Sequence, residues 1–528
     1  MLVRLAKKVS PGVRQFLHEL SLRNSSPEGR RWIYLPYDQL SDQFGVLSRE
    51  APERIGILLV ENPEKAARRP YHRQKLAWIL TQQRQFALEQ AERGVCVRYR
   101  VGDYGTEASR LACEVARPAE WELRQEVAAL KSLPHEGWLS SREQFLSLGP
   151  PPWRMDAFYR RVRQDSGILM HNGKPLGGKY SHDAENRKPW KGQPPAPTAP
   201  RYKSTWLKQE VQELIEGSFS RHPGQLDMES IPLTLMEIED YWGWVQRECL
   251  PHFGPYEDAM TVESSGLFHS RLSPLINLHR LTPRRVLQDV LQLELPLPCK
   301  EGFVRQLLGW REFVRHVHES TNGFRDLWPQ AQEAADGGWS NWSGQPWGSE
   351  AGGAAPNFLK AEHDLPAAFW GEPSGLACLD QVVADVWREG WSHHITRLMV
   401  LGNLATLLGY SPRQLADWFW VAYIDAFDWV VEPNVLAMAT YATGELMTTK
   451  PYVSGAAYLD RMSDYCKHCR FDPKKDCPVT PLYWAFLQRH RQHLEKNPRM
   501  RVILKNLDRR DLAADERVRQ EWLKRLNP

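Results

Sequence analysis

Apolar and polar positions follow two regimes along this chain. Between about residues 31 and 135, short apolar runs alternate with stretches of helical spacing. RWIYLPYDQL reads as a strand running into a loop, and RIGILLVEN and VCVRYRVG as two further strands. YHRQKLAWILTQQRQFALEQAERG has helical periodicity and stops at Gly94. TEASRLACEVA and PAEWELRQEVAALKSL also read as helices, the second with Pro118 near its start. Strands alternating with helices predict an α/β domain built on a doubly wound parallel sheet. Ligands of such sheets sit beyond the carboxyl ends of the strands, which points to Asp38 and Gln39 after the first one. No GxGxxG follows any strand, so the dinucleotide fingerprint is absent.

From about residue 168 to 205 the texture changes to Gly, Pro, Lys and Asn, the composition of a connector. Beyond it strand signals nearly vanish and long helical patterns follow, such as FVRQLLGWREFVRHVHES, CLDQVVADVWREG and HHITRLMVLGNLATLLG. SPRQLADWFWVAYIDAF opens on Ser411-Pro412, a cap with proline at the first helical position. The predicted organisation is an N-terminal extension (1–30), an α/β domain (31–165), an interdomain linker (166–225) and a large all-helical domain (226–528).

The chain has 528 residues, 42% apolar and 25% charged, which is ordinary for a globular protein. No apolar run is long enough for a membrane helix, and the basic N-terminus lacks the apolar core of a signal peptide. A reducing, cytoplasmic setting is the expectation. A net charge of +4 does not by itself announce nucleic acid, and basic runs such as RPYHRQK read first as solvated faces. The 22 tryptophans are the unusual feature. Aromatic excess means packing first; it also suits base stacking or an electron-hopping chain, for which Trp387, Trp418, Trp420, Tyr423 and Trp429 are candidates.

Three of eight cysteines fall within SDYCKHCRFDPKKDCP: Cys466, Cys469 and Cys477. In a reducing setting such clustering points to metal or catalysis. Zinc and iron–sulfur sites both want four ligands. Cys378, far upstream, and His468 are the candidates for the fourth. Spacing alone leaves iron–sulfur, zinc and unrelated thiols open.

Several motifs converge on one family. SSGLFHSRLSP resembles the flavin-phosphate segment of the photolyase/cryptochrome superfamily, GWREFVRHVH its W-R-E-F helix, GWSHHITRLMV its histidine-bearing segment and YIDAFDWVVEPN its I-D-G-D segment. GGKYSHDAENRKP, KPYVSGAAYLDRMSDYCKHC and the Cys-Pro that follows resemble the iron–sulfur bacterial cryptochromes and photolyases, the prokaryotic (6-4) photolyases. The resemblance covers roughly residues 31–510.

That resemblance implies FAD in the helical domain, a [4Fe-4S] cluster on Cys378, Cys466, Cys469 and Cys477, and a 6,7-dimethyl-8-ribityllumazine antenna in the α/β domain. It places Tyr256, His269, Ser270, Arg271, Leu272, Ser273, Arg311, Glu312, Arg397, Asp425 and Asp428 around the flavin. Ser270 and Ser273 offer donors where a loop enters a helix, a natural anion site. Glu432, four residues after Asp428, falls where most photolyases set an asparagine before flavin N5. Repair of a (6-4) lesion returns a hydroxyl or amine from the 5′ base to the 3′ base and needs a proton donor, for which histidine is suited; His394 takes that role, with His393 as partner. The implied function is light-driven repair of (6-4) photoproducts in UV-damaged DNA by a cytoplasmic, nucleoid-associated monomer, with the basic loop 173–190 at the DNA. The alternatives are a blue-light photoreceptor without repair and a cyclobutane-dimer photolyase.

Overall fold

The computed structural model describes residues 11–327, 341–342, 345–346 and 353–527; the first ten residues of the expected extension lie outside this set. Five strands, β1 (Arg31–Tyr34), β2 (Ile55–Glu61), β3 (Cys96–Val101), β4 (Glu114–Ala116) and β5 (Lys131–Leu133), form one parallel sheet in the order β3-β2-β1-β4-β5. β2 is buried at every position, as a central strand with helices on both faces requires. The helical reading of two segments is corrected here. TEASRLACEVA and PAEWELRQEVAALKSL each begin as a helix, Tyr104–Arg110 and Trp121–Glu126, but close in β4 and β5. Those strands are three residues long, too short for a period of two to show against helical spacing.

The strand order reverses between β1 and β4, which sets the crevice of the sheet between their carboxyl ends. Asp38 and Gln39 lie there, buried, with Gln39 Nε2 donating to the Ala116 carbonyl at 3.1 Å. The helical body covers this crevice. The Leu40 amide donates to the Leu278 carbonyl at 2.9 Å, and His279 Nδ1 donates to the Asp38 carbonyl at 2.6 Å.

The helices α1 (Pro11–Arg23), α2 (Arg73–Glu92), α3 (Trp121–Glu126) and α4 (Trp206–Ser218) belong to this part of the chain. α1, α2 and α4 pack together: Phe16 is fully buried against Tyr99, and Arg84 links Glu61 of β2 to Glu210 of α4. A piece of the expected extension and the end of the expected linker thus close one face of the sheet.

The helical body includes α5 (Glu312–Ser320), α6 (Ala377–Glu389), α7 (Pro412–Ala422) and α8 (Val479–Arg489). One apolar core runs without a break from Tyr34 and Leu58 in the sheet to Trp522 near the C-terminus. Besides Val245–Cys249, three stretches inside otherwise regular helices widen to π-helical turns: Arg305–Arg311, Thr396–Gly402 and Pro433–Ala439. Such turns re-aim side chains and recur at functional sites. Residues of all three line the same cavity.

Candidate functional site

The cavity holds about 770 Å³, within the usual range for a site that encloses a cofactor. One wall follows from the end of α6. Gly390 closes that helix with φ 65°, and a Cβ there would meet Ile424 at 2.7 Å, so the backbone needs glycine for both reasons. The sharp turn presents Trp391, Ser392, His393 and His394 to the cavity. Opposite stands the loop that carries His269, Ser270, Arg271, Leu272 and Ser273, all of them lining residues.

Arg397 and Asp425 form a two-pronged ion pair at 3.0 and 2.9 Å. The Ser273 hydroxyl donates to the same carboxylate at 2.6 Å, and Trp391 Nε1 donates to the Ser273 oxygen at 3.2 Å. Arg271 is neutralised by Glu389 at 2.7 Å. Arg311 reaches the cavity with Nε and one Nη buried and unpaired, a donor edge waiting for an acceptor.

Three imidazoles meet at one corner. His269 stacks on His393 with ring centres 4.4 Å apart and 12° between planes, and its centre lies 5.2 Å from that of His394. One nitrogen of each ring falls within 4.8 Å of the others. Parallel stacking aims the in-plane lone pairs of His269 and His393 alongside each other, so they do not converge as metal ligands must. Burial, and then the neighbouring imidazoles, hold His269 and His393 well below the usual histidine range. His394 is pulled down to about 4 by burial, then by Arg305 and Arg397, while Asp183 pulls the other way. In this state all three rings are neutral at pH 7.

Other candidate residues do not reach the cavity. The positions of the 428–439 helix that line it are 430, 431, 434, 435, 438 and 439. Counting by four from Asp428 to Glu432 stays on the opposite face. Glu432 is buried there between His318 at 2.9 Å and Arg413 at 2.8 Å, away from the cavity. An asparagine, Asn434, stands on the cavity face instead. Asp428 accepts the Trp121 amide at 2.6 Å and caps α3 from across the domain boundary. Glu312 accepts the Leu139 and Ser140 amides, each at 3.0 Å. Tyr256 packs on Phe268 outside the cavity and donates to the Gln193 carbonyl. The basic loop 173–190 turns inward: Asp183 and Arg187 line the cavity, and Asn186 is buried on Glu257 at 3.0 Å. The motif GGKYSHDAENRKP contains this wall, but nothing in its sequence signals that Asp183 and Arg187 face a cavity.

Cys378 lies within electrostatic reach of Cys477, Cys466 and Cys469. Cys378 lies in the first turn of α6, Cys466 lies inside the short helical turn Tyr465–His468 that Cys469 closes, and Cys477 precedes α8. Burial raises the Cys378 thiol, and the other three cysteines raise it further. Burial pushes Cys466 up to about 12 and Cys477 up to about 11. The thiols of Cys378, Cys466 and Cys477, all raised, need a positive centre to become thiolates together.

An aromatic stack leads away from the cavity wall. Tyr423 lines the cavity, and its ring lies 5.9 Å from Trp418. Trp418 lies 5.9 Å from Trp387, and Trp387 stacks on Trp370 at 5.4 Å.

A sheet domain of this order, joined to a helical body around one deep cavity, is the photolyase/cryptochrome fold. A bacterial class III photolyase from Agrobacterium tumefaciens shares it with a TM-score of 0.50 at 16% identity over 80% of this chain and 81% of that one. A photolyase from Sulfolobus tokodaii, solved with two FAD molecules, shares it with a TM-score of 0.52 at 13% identity over 89% and 94%. The family described as deoxyribodipyrimidine photo-lyase-related protein matches residues 32–230. The (6-4) photolyase of Agrobacterium fabrum is 30% identical over 496 residues, 88% of this chain and 92% of that protein. The chain belongs to the photolyase/cryptochrome superfamily, in the family of the prokaryotic (6-4) photolyases. No helix among the described residues is long and apolar enough to cross a membrane.

Proposed function

We propose that the chain is a DNA photolyase that repairs (6-4) photoproducts with bound FAD. The observation that carries this reading is the histidine corner, His269, His393 and His394, set in one wall of the cavity beside the Arg397–Asp425 pair. The residues fit a flavin dinucleotide. The cavity is large enough, Arg311 aims unpaired donors into it, and Ser270 and the amides of its loop offer donors to a pyrophosphate. When bound in its reduced form and excited by light, FAD supplies the electron that opens the lesion.

The chain's own residues do the rest. Asp425 and Ser392 fix the Arg397 guanidinium, the carboxylate by two hydrogen bonds and the Ser392 carbonyl by one at 2.8 Å. The imidazoles are neutral because burial, and then the neighbouring Arg305, Arg397 and Arg271, disfavour a charge on them. Entry of phosphate anions offsets those cations and favours one imidazolium. His394 is the ring with an acidic neighbour, Asp183, so it takes that proton and gives it to the group leaving the 5′ base. A flipped lesion costs less to extract than an intact pair, and the cavity mouth, with Arg187, Lys450 and Arg499, suits phosphate contacts.

Cys378, Cys466, Cys469 and Cys477 hold a [4Fe-4S] cluster in this reading, a staple that ties α6 to α8. Asp38 and Gln39 in the sheet crevice receive the lumazine antenna; Asp38 Oδ1 is buried without a partner, and burial pushes its carboxyl up to about 7. The protein works as a monomer in the cytoplasm at the nucleoid.

The test is illumination of reduced protein with oligonucleotides that carry each lesion. Loss of the (6-4) lesion, abolished in His394→Ala with flavin retained, is the expected result. Repair of cyclobutane dimers alone, or of neither lesion with flavin intact, overturns it. Iron and acid-labile sulfide should be lost together in Cys378→Ser; zinc in their place would overturn the cluster.

A further inference from the structure

The loop that brings His269–Ser273 to the cavity starts at Met260. Two of its residues other than glycine adopt the left-handed backbone, Leu267 at φ 43° and Arg271 at φ 53°. Such residues keep that conformation only where their surroundings over-determine it. Two carboxylates from outside the loop do this. Near its start, Asp464 accepts from the Thr261 hydroxyl at 2.7 Å and from the Val262 amide at 2.9 Å, and the Met260 amide donates to the Met462 carbonyl at 2.9 Å. Toward its end, Glu389 Oε2 accepts from Arg271 Nη1 and from the Ser265 hydroxyl, each at 2.7 Å. Arg271 Nη2 donates to the same hydroxyl at 2.7 Å, so the three side chains close a ring around the strained turn.

Both carboxylates belong to segments that carry cysteines. Asp464 stands two residues before Cys466. Glu389 ends α6, and Cys378 lies in the first turn of the same helix. α6 packs against the Tyr465–His468 turn, in which Tyr465 is buried. Arg388 holds the other oxygen of Glu389 at 2.7 Å and Asp385 at 2.6 Å, which fixes the Glu389 carboxylate to the helix. A packed helix of 13 residues moves as one piece, so its first turn and its last carboxylate shift together. The helix and the turn thus grip the loop at two separate points.

We infer that Asp464 and Glu389 are positioning residues for the flavin, a clamp that seats the 260–273 loop and passes the state of the cysteine group on to it. The inference rests on the reading of the cavity as a flavin site and of the cysteines as ligands of one group. A positive centre shared by the cysteines fixes the spacing of α6 and the Tyr465–His468 turn. Without it only side-chain packing holds them, and the two grips lose their common frame. Ser270 and the amides of the loop, the donors offered to a pyrophosphate, then lose their set positions.

The test reads FAD released from the holoprotein on dilution, by its fluorescence. Asp464→Ala should weaken FAD binding about tenfold, the scale of one charge-assisted hydrogen bond, with iron and acid-labile sulfide retained. Asp464→Asn keeps an acceptor for the Val262 amide and should stay within about threefold of the wild type. Glu389→Ala should act as Asp464→Ala does. Amide hydrogen exchange should rise over residues 260–273 in both alanine variants and stay at the wild-type level over Ile55–Glu61. In Cys378→Ser the loop is already loose, so adding Asp464→Ala should weaken FAD by no more than about threefold. FAD binding and loop exchange unchanged in Asp464→Ala overturn the clamp. Iron lost together with FAD in that variant overturns it too, since Asp464 would then serve the cysteines alone. A further loss of about tenfold in the double variant overturns the link to the cysteines. Where faster exchange over Ile55–Glu61 shows that Asp464→Ala unfolds, Thr261→Val removes one grip alone and should still weaken FAD about threefold; unchanged binding there overturns the clamp. A wild type that holds no FAD sinks the flavin reading and the inference together, whereas failure to repair (6-4) lesions with FAD held counts against the repair reading alone.

Discussion

Two aromatic walls leave the cavity, and they are built differently. On one side Tyr423 leads to Trp418, Trp387 and Trp370. On the other, Trp429 meets Trp138 edge to face at 5.0 Å, and Trp138 meets His279 at 6.0 Å. By ring spacing alone either wall would conduct. Both walls carry a cation at the cavity, Arg397 lying 4.1 Å over Tyr423 in the first, and the difference is in the cations over the indoles. Arg311 lies 4.3 Å over Trp138 and 5.4 Å over Trp429, and Arg315 lies 4.5 Å over Trp138. Arg69 likewise covers Trp420 at 4.0 Å. Among the described residues no guanidinium or ammonium lies over Trp418 or Trp387. A cation on the face of an indole stabilises the neutral ring and opposes a second positive charge there. Among the described residues the titratable group stacked on Trp387 is His72, and burial pulls it down to about 4, so it is neutral at pH 7. Trp418 and Trp387 of the first wall can carry an electron vacancy; the indoles of the second are packing.

The largest effect expected from this contrast is on light-driven reduction of bound FAD. Trp418→Phe should slow it by about a hundredfold or more, a barrier change of about 2.7 kcal/mol, while Trp429→Phe leaves it nearly unchanged. Equal losses in the two variants would erase the distinction. A smaller effect tests the cause. In the Trp418→Phe background, Arg311→Met removes the guanidinium from Trp138 and Trp429. If the cation is what silences that wall, about tenfold of the lost rate should return, in line with a desolvated cation–π contact of about 1–2 kcal/mol. No recovery would assign the silence to geometry.

The sequence carried the two-part architecture because its periods are strong: β2 is apolar throughout and the long helices keep their stripes. It misled where elements are short, as at β4 and β5. The site was legible where a motif fixes local geometry, as in the 269–273 loop and the turn after Gly390. It was not legible where a helix changes its pitch. The π-helical turn at Pro433–Ala439 follows Glu432, and no residue in VVEPNVLAMA announces which face meets the cavity. The contrast between the two walls was invisible for a related reason: Arg69 reaches Trp420 across some 350 residues, and Arg311 reaches Trp138 across domains. Composition showed the tryptophans, while tertiary packing decides which of them is covered.

The smallest prediction concerns pH. His279 sits in the packed wall, faced by Arg311, by the His135, Phe44 and Trp138 rings and by the carbonyl of Asp38. Burial, and then Arg311, pull it down to about 3. Its folded-state pKa is thus below the ordinary value of about 6.5. As pH falls, the unfolded chain takes up this proton first. The stability tied to the neutral ring is present above about 6.5 and is lost as pH falls toward 3, at up to about 1.4 kcal/mol per pH unit. His279→Asn should lower stability at pH 7 and also flatten its fall between pH 6.5 and 5.5 by about 1 kcal/mol, read as urea midpoints at the two pH values. An unchanged slope would mean that protonation there is relieved locally, by an opening of the wall around Trp138 without unfolding, and the second wall would then be less tightly packed than its rings imply.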